Sequence, residues 1–358
     1  MPVCHGPLPP PCVRHSCRRA ALALLFGAVL TASAMPLMAA TPGPQESKAL
    51  QPVTLRLDWL FQGPNSGFMA AREKGFYRDV GLDVTIAPGK GSVSTAQLIA
   101  NRSDTFGYSD GYVVGTSVAK GMNIRMVANI TRRTPTAAIV LAESNIKSPK
   151  ELEGKTVGIP PGSGPYHQWP AYVKGCGLDG SKIRVVGLDP AGAPTALIQG
   201  AVDGIVGFVN GYVPLIEGRS KKKTNFFPYA DCGVSNVSLG IIVHNDLIKE
   251  NPDLIRRFVA ASSKGFVYVS RNLVEAGQIV KKYLDPVVPA VATRELELSL
   301  DFWVTPNTRG KPMGWMSDKD WEDTVRILKE YGGVTTPLDP RQLYTNEFVP
   351  TGPEYNYP

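Results

Sequence analysis

At 358 residues, with 43% hydrophobic and 19% charged residues, the chain can form one large domain or two smaller ones of ordinary globular make-up. Its formal charge of +7 includes Arg14, Arg18 and Arg19, which lie in an N-terminal stretch without Asp or Glu; beyond them 35 Lys and Arg (38 minus these 3) face 31 Asp and Glu. That balance argues against a nucleic-acid surface and only weakly favours an anionic ligand.

In chain order, a basic stretch ending in Arg18-Arg19 precedes the apolar run Ala20 to Leu30. Two small-x-small sites follow, Ala32-Ser33-Ala34 and Met38-Ala39-Ala40. The run is too short to span a bilayer comfortably, so residues 1–40 read as a secretion signal. The paired arginines hint at a twin-arginine route, although their surroundings match it poorly. No Cys follows the apolar run, which argues against a lipid anchor. Cys4, Cys12 and Cys17 leave with the signal, whereas Cys176 and Cys232 remain. An oxidising compartment permits a disulfide between them, but two cysteines far apart in sequence do not establish one; two buried thiols are the alternative. No cysteine cluster or paired histidine suggests a metal, and no cofactor is expected.

After a flexible leader at 41–51, Val53 to Leu57 alternates as a strand and Gly67 to Lys74 reads as a helix closed by Gly75. Leu82 to Ala87 is a strand, Pro88 to Ser92 a turn opening a helix to about Ala100, and Thr105 to Tyr108 and Met126 to Ile130 are further strands. The order restarts with a strand at Thr156 to Ile159, a glycine-rich turn at Pro160 to Gly164 and a helix at Tyr166 to Lys174. A strand at Ile183 to Gly187, a helix at Thr195 to Gln199 and a strand at Gly204 to Phe208 complete this half. Arg219 to Lys223 reads as a solvated turn. Ala137 to Leu141 and Leu239 to Val243 are candidate hinge strands, and the chain beyond Asn251-Pro252 is largely helical to about Tyr331. The repeat predicts two doubly wound α/β lobes with mostly parallel sheets. The first would span 52–140 plus 240–349 and the second 141–239.

These residues resemble a known family, the solute-binding proteins for sulfonates, nitrate and thiamin-precursor pyrimidines. The resemblance rests on the order and spacing of Leu57-Asp58-Trp59, Glu73-Lys74-Gly75-Phe76-Tyr77, Gly81-Leu82-Asp83-Val84 and Phe106-Gly107-Tyr108-Ser109-Asp110. It continues through Leu152 to Gly158, His244-Asn245-Asp246, Asn251-Pro252-Asp253 and Tyr344 to Phe348. It implies a two-lobed, type II-like periplasmic binding protein that closes on its ligand. It also implies an ABC permease and ATPase in the inner membrane as partners, a monomer, and no role in nucleic-acid binding. The pyrimidine branch includes synthases that consume their own histidine, six residues after the leading Trp. Here that residue is Asn65, and Val234 to Ser238 lacks the cysteines those enzymes carry before the second crossover. The resemblance therefore favours binding over a pyrimidine-forming enzyme. The expected ligand is a planar heteroaromatic, with a sulfonate, nitrate or aromatic carboxylate as the other class.

Small-molecule sites form in such clefts, lined by strand C-termini and helix N-termini. Trp59, just past the first strand, offers a stacking face, and Asn65 an amide for in-plane hydrogen bonding. Gly91-Ser92 and Gly162-Ser163 occupy equivalent turns whose N–H groups suit an anion or carbonyl oxygen, while Lys90 reads as solvated. Tyr108 and Asp110 end a strand; Asp110 is either a ligand acceptor or a helix N-cap. From the second lobe Tyr166, Phe208 and Asn210 complete the candidate set, with His167 and Trp169 beside Tyr166. His167 suits a hydrogen bond better than a metal. Protein recovered from the periplasm should begin after Ala34 or Ala40 by intact mass; a mature species retaining Cys17 would refute export by this signal.

Overall fold

The computed structural model describes residues 49–357, so the secretion signal and most of the leader lie outside the described residues. Five strands come first along the chain: β1 (Gln51–Arg56), β2 (Leu82–Ala87), β3 (Phe106–Asp110), β4 (Ile124–Asn129) and β5 (Thr136–Leu141). β6 (Thr156–Ile159), β7 (Arg184–Gly187), β8 (Gly204–Phe208), β9 (Thr224–Pro228) and β10 (Leu239–His244) follow. They form two five-stranded sheets, ordered β2-β1-β3-β10-β4 and β7-β6-β8-β5-β9. The two orders are the same pattern. In each, the fourth strand is antiparallel to its neighbours and is the first to arrive from the other sheet: β10 in the first, β5 in the second.

That exchange corrects the hinge reading. Ala137 to Leu141 and Leu239 to Val243 are fully paired sheet strands, and the linking segments are residues 130–135 and 229–238 just before them. It also makes the sheets mixed instead of mostly parallel, and it assigns residues 136–140 to the second sheet although the sequence reading put them in the first lobe. The predicted strands and helices otherwise recur within a few residues. The helix Gly111–Ala119 is the one that the N-cap reading of Asp110 implied, whereas the helix Val209–Ser220 and the strand β9 were not anticipated. The Arg219–Lys223 run is the exposed end of the second of these helices, where Lys221 takes φ 60°.

The first sheet carries the C-terminal helices. Helix Pro252–Arg271 starts sharply because Pro252 needs no N–H partner there and the Asn251 side chain accepts from Leu254 N at 3.1 Å. Leu254, Ile255, Phe258, Val259 and Phe266 share one face and are buried with Phe68, Tyr77 and Phe106 from the first lobe. Each such side chain contributes roughly 1.5–3 kcal/mol. The two linking segments touch: Thr134 N donates to Asn236 O at 3.1 Å, and Ile130 N and Thr131 N both donate to Leu239 O at 3.0 Å. Buried Arg132 fastens the first segment to the C-terminal region by donating to the Thr308 and Pro312 carbonyls.

Cys176 and Cys232 form a disulfide. It ties the end of helix Gly164–Gly175 to the second linking segment and closes a loop with a sequence separation of 56. Replacing both by Ser should cost about 2–4 kcal/mol of unfolding free energy by denaturant titration. In the unreduced mature protein neither cysteine should accept a thiol label; quantitative labelling of native protein would refute the bridge.

Candidate functional site

Between the sheets lies a narrow cleft of about 620 Å³, counting the part open to solvent. Its first-lobe wall is built where β1 and β3 end. The chain leaves β1 through Leu57 and Asp58 and turns at Trp59, and Gly91 N and Gly89 N hold this turn by donating to Asp58 O and Trp59 O at 2.8 and 2.9 Å. Trp59 is half-buried and packs against a hydrophobic cluster of the second lobe that includes Val209 and Tyr212. Tyr108 is fully buried behind the cleft, edge-on to Phe68 at 5.0 Å. Phe208 and Tyr212 supply the second lobe's aromatic surface.

Seven of the expected residues line this cleft: Trp59, Asn65, Ser92, Tyr108, Ser163, Phe208 and Asn210. Several of their polar groups are already committed within the protein. Asn65 accepts from Gln62 N and donates to Leu60 O, both at 3.0 Å, so its amide locks the Trp59–Asn65 turn at both ends. Ser163 caps its helix, accepting from Tyr166 N at 3.2 Å and donating to Pro160 O at 2.7 Å. Ser92 Oγ accepts from Asp110 N.

The remaining four do not line it. Gly91 and Gly162 meet one another. Gly91 has φ 125°, and a Cβ there would lie 2.6 Å from Gly162 O, so only glycine permits this approach. Val93 N then donates to Gly162 O at 3.2 Å across the lobes. Two of the N–H groups expected to seat an anion are committed locally instead, Gly91 N to Asp58 O and Ser163 N to Pro160 O. Tyr166 is 40% exposed on the outer face of its helix, because Pro165, Gln168, Trp169 and Tyr172 form the buried face. His167, beside it, has its pKa lowered by burial and by the Lys120 charge, which keeps the ring neutral near pH 7.

Asp110 is a latch behind the cleft. As the N-cap of helix Gly111–Ala119 its Oδ1 accepts from Tyr112 N at 2.9 Å. The same oxygen accepts from Gln168 Nε2 of the second lobe at 3.1 Å and Asn236 Nδ2 of the linking segment at 3.5 Å, while Oδ2 accepts from Ser238 Oγ at 2.9 Å. Burial pushes its pKa up to about 6, with these donors opposing the rise. Val234 to Ser238, read from sequence only as a stretch without cysteine, therefore supplies two of the latch donors.

Sequence reasoning passed over Asp58, Gln62 and Tyr212, all in the cleft wall. Asp58 was visible, since a carboxylate between a strand's last residue and a cleft tryptophan is well placed for a ligand. It is 7% exposed, and among the described residues no side chain hydrogen-bonds to its carboxyl. Burial above all, and then the charge of Asp110, push its pKa up to about 8, although backbone N–H groups of Asp58 and Trp59 oppose the rise. Asn210 presents a free acceptor. Its Nδ2 donates to Ser299 Oγ at 2.8 Å, and Ser299 spends its own proton on Glu295 O at 2.7 Å. The amide orientation is thereby fixed, leaving Oδ1 buried without a partner. Among the described residues lining the cleft there is no Lys, Arg or His.

The family profile described as NMT1/THI5 like matches residues 64–276. The chain belongs to that family. A riboflavin-binding protein, RibY, of Chloroflexus aurantiacus is 26% identical to this family member, over 87% of this chain and 90% of its own. A formylaminopyrimidine-binding protein of Halalkalibacterium halodurans is 25% identical, over 82% and 89%. A 4-amino-5-hydroxymethyl-2-methylpyrimidine phosphate synthase of Legionella pneumophila is 21% identical, over 84% and 93%. Among solved structures, the alkanesulfonate-binding protein SsuA of Xanthomonas axonopodis pv. citri superposes with a TM-score of 0.62 at 15% identity, covering 84% of this chain and 98% of that one. The fold is therefore the two-lobed α/β fold of the solute-binding proteins of ABC importers.

The latch yields a direct expectation. Asp110→Ala leaves Gln168, Asn236 and Ser238 without their shared acceptor and should destabilise the closed arrangement by about 1–3 kcal/mol. Small-angle scattering of the ligand-free variant should then give a larger radius of gyration than wild type. An unchanged radius with an unchanged melting temperature would show that Asp110 does not hold the lobes together.

Proposed function

We propose that this family member is the exported ligand-capturing component of an ABC importer, and that its ligand is a planar heteroaromatic amine of the thiamin-precursor pyrimidine kind. The single observation behind this reading is the chemistry of the cleft: aromatic side chains from both lobes, a carboxyl without a side-chain partner at Asp58, a free acceptor at Asn210, and no cation in the described lining. Such a surface suits a flat ligand carrying N–H donors and disfavours an anion, because a buried negative charge needs a partner. The sulfonate, nitrate and aromatic carboxylate readings lose support on that ground. The names of two relatives, one riboflavin-binding and one formylaminopyrimidine-binding, are consistent with a flat nitrogen heterocycle.

Capture without chemistry is favoured over synthesis. Asn65 stands where the resemblance gives the synthases their consumed histidine, and its amide is engaged in its own turn. The basic stretch and apolar run at the N-terminus fit export to the periplasm. There the closed, loaded form would meet the permease and its ATPase as a monomer.

A metabolite-library thermal-shift screen on the mature protein tests the ligand class. An aminopyrimidine at 100 times its Kd should stabilise the protein by about 2.7 kcal/mol. Stabilisation by sulfonates or nitrate alone would overturn the reading. On the ligand identified, Trp59→Ala should weaken binding roughly 5- to 150-fold through loss of a stacking face. Its melting temperature should fall less than removal of a core tryptophan worth about 3–5 kcal/mol would demand.

A further inference from the structure

We propose that Asp58 meets the ligand as a neutral carboxylic acid and reads an amidine-type edge, a ring nitrogen beside an exocyclic N–H, so that ligand capture is coupled to a proton. The inference rests on the heteroaromatic-amine reading above and names the edge that this protein recognises.

Three observations carry it. Asp58 lies in the cleft wall next to Trp59, 7% exposed and without a side-chain partner among the described residues. Only the backbone N–H groups of Asp58 and Trp59 favour its ionised form, against burial and the charge of Asp110. Asp110, behind it, is a second carboxyl that already collects every nearby side-chain donor: Gln168, Asn236 and Ser238. Of the other titratable groups around the cleft, Tyr108 and Tyr212 hold their protons far above neutral pH because they are buried. Lys90, on the neighbouring turn, is exposed to solvent, and no Lys, Arg or His appears in the described lining. Two carboxyls in one dry, cation-free place cannot both ionise cheaply, and the one without side-chain donors keeps the proton.

A protonated carboxyl is both donor and acceptor along one edge. Its O–H donates to the ring nitrogen while its C=O accepts from the exocyclic amine. If the proton moves onto the ring, the same pair becomes a carboxylate facing a heteroaryl cation. Either way the complex holds one proton between Asp58 and the ring nitrogen, and none is gained or lost by the transfer. Asn210 Oδ1, fixed as an acceptor by Ser299, can take a further N–H from the opposite lobe. An anion can accept the Asp58 O–H alone: it has no hydrogen to give Asn210 Oδ1, and no cation in the described lining balances its charge.

The sign of the pH dependence follows. Where Asp58 is already protonated in the free protein, binding takes up no proton and affinity is level. Once rising pH ionises it, each binding event must take up a proton, and affinity falls by as much as tenfold per pH unit. Asp58→Asn offers the same donor and acceptor pattern with no titratable proton. Asp58→Leu keeps the bulk and removes both hydrogen bonds.

The test is calorimetry with 4-amino-2-methylpyrimidine as probe and 2,4-dimethylpyrimidine as its shape-matched control, between pH 7.5 and 9.5, with a melting curve for each variant. Wild type should bind the amine and reject the control, with affinity falling as pH rises. Asp58→Leu should lose about 10- to 100-fold, the equivalent of two buried hydrogen bonds. Asp58→Asn should rescue most of that loss and show a flat pH profile. Undiminished binding by a folded Asp58→Leu, or wild type and Asp58→Asn profiles with the same slope, would overturn the role of Asp58 while leaving the aminopyrimidine reading intact. Failure of wild type to bind the amine would overturn both.

Discussion

A buried carboxylate has to be surrounded by donors, and Asp110 meets that requirement by drawing on three parts of the molecule. The helix that it caps belongs to the first lobe, Gln168 to the second, and Asn236 and Ser238 to the segment that links them. Closure of the lobes is thus written into the solvation of one side chain. The contact of Gly91 with Gly162 works in the same direction, since Val93 N is satisfied by a carbonyl of the facing lobe. On the other flank Asn210 of the second lobe reaches Ser299 beyond the cleft. The bonds made by Gln168, Val93 N and Asn210 each span the two halves.

The same contacts explain what the cleft has left to offer. At the two helix N-termini, Val93 N is spent on the facing lobe and Tyr166 N on the local Ser163 cap, while Ser92 Oγ braces the strand end at Asp110 N. Polar capacity remains at Asp58 and at Asn210 Oδ1, both acceptors in their ionised or fixed form. Four aromatic side chains, Trp59, Tyr108, Phe208 and Tyr212, share the rest of the wall with Gln62 and with proline, glycine and aliphatic residues. The fold is shared with binding proteins for sulfonate ligands, so ligand class is decided by which few groups the closed lobes leave free, and the architecture alone does not set it.

Family membership spans both binding proteins and a synthase, and the difference has to lie in single residues. At Asn65 this chain puts an amide whose two ends pin the turn that carries Trp59. The residue thereby contributes to the position of the aromatic wall without presenting a reactive group. Val234 to Ser238 likewise serves the latch, with Val234 and Val237 buried in the core and Asn236 and Ser238 turned to Asp110.

Hydrophobic periodicity and glycine-rich turns are local properties, so the sequence by itself determined the strand–turn–helix repeat, the two similar sheets and the residues ending β1, β3 and β8. It also placed Trp59, Tyr108, Phe208 and Asn210 at a cleft for the same reason, since strand ends face it whatever the packing. What only the tertiary structure decided was partnership. Strand exchange between the sheets depends on pairing at long range, which made the candidate hinges into β5 and β10. Whether Cys176 meets Cys232, whether Gly91 holds an anion or touches Gly162, and whether Asp110 or Asp58 is the carboxyl left without side-chain donors are questions about distances between residues remote in sequence. No local pattern encodes those distances; they exist only once the chain has folded.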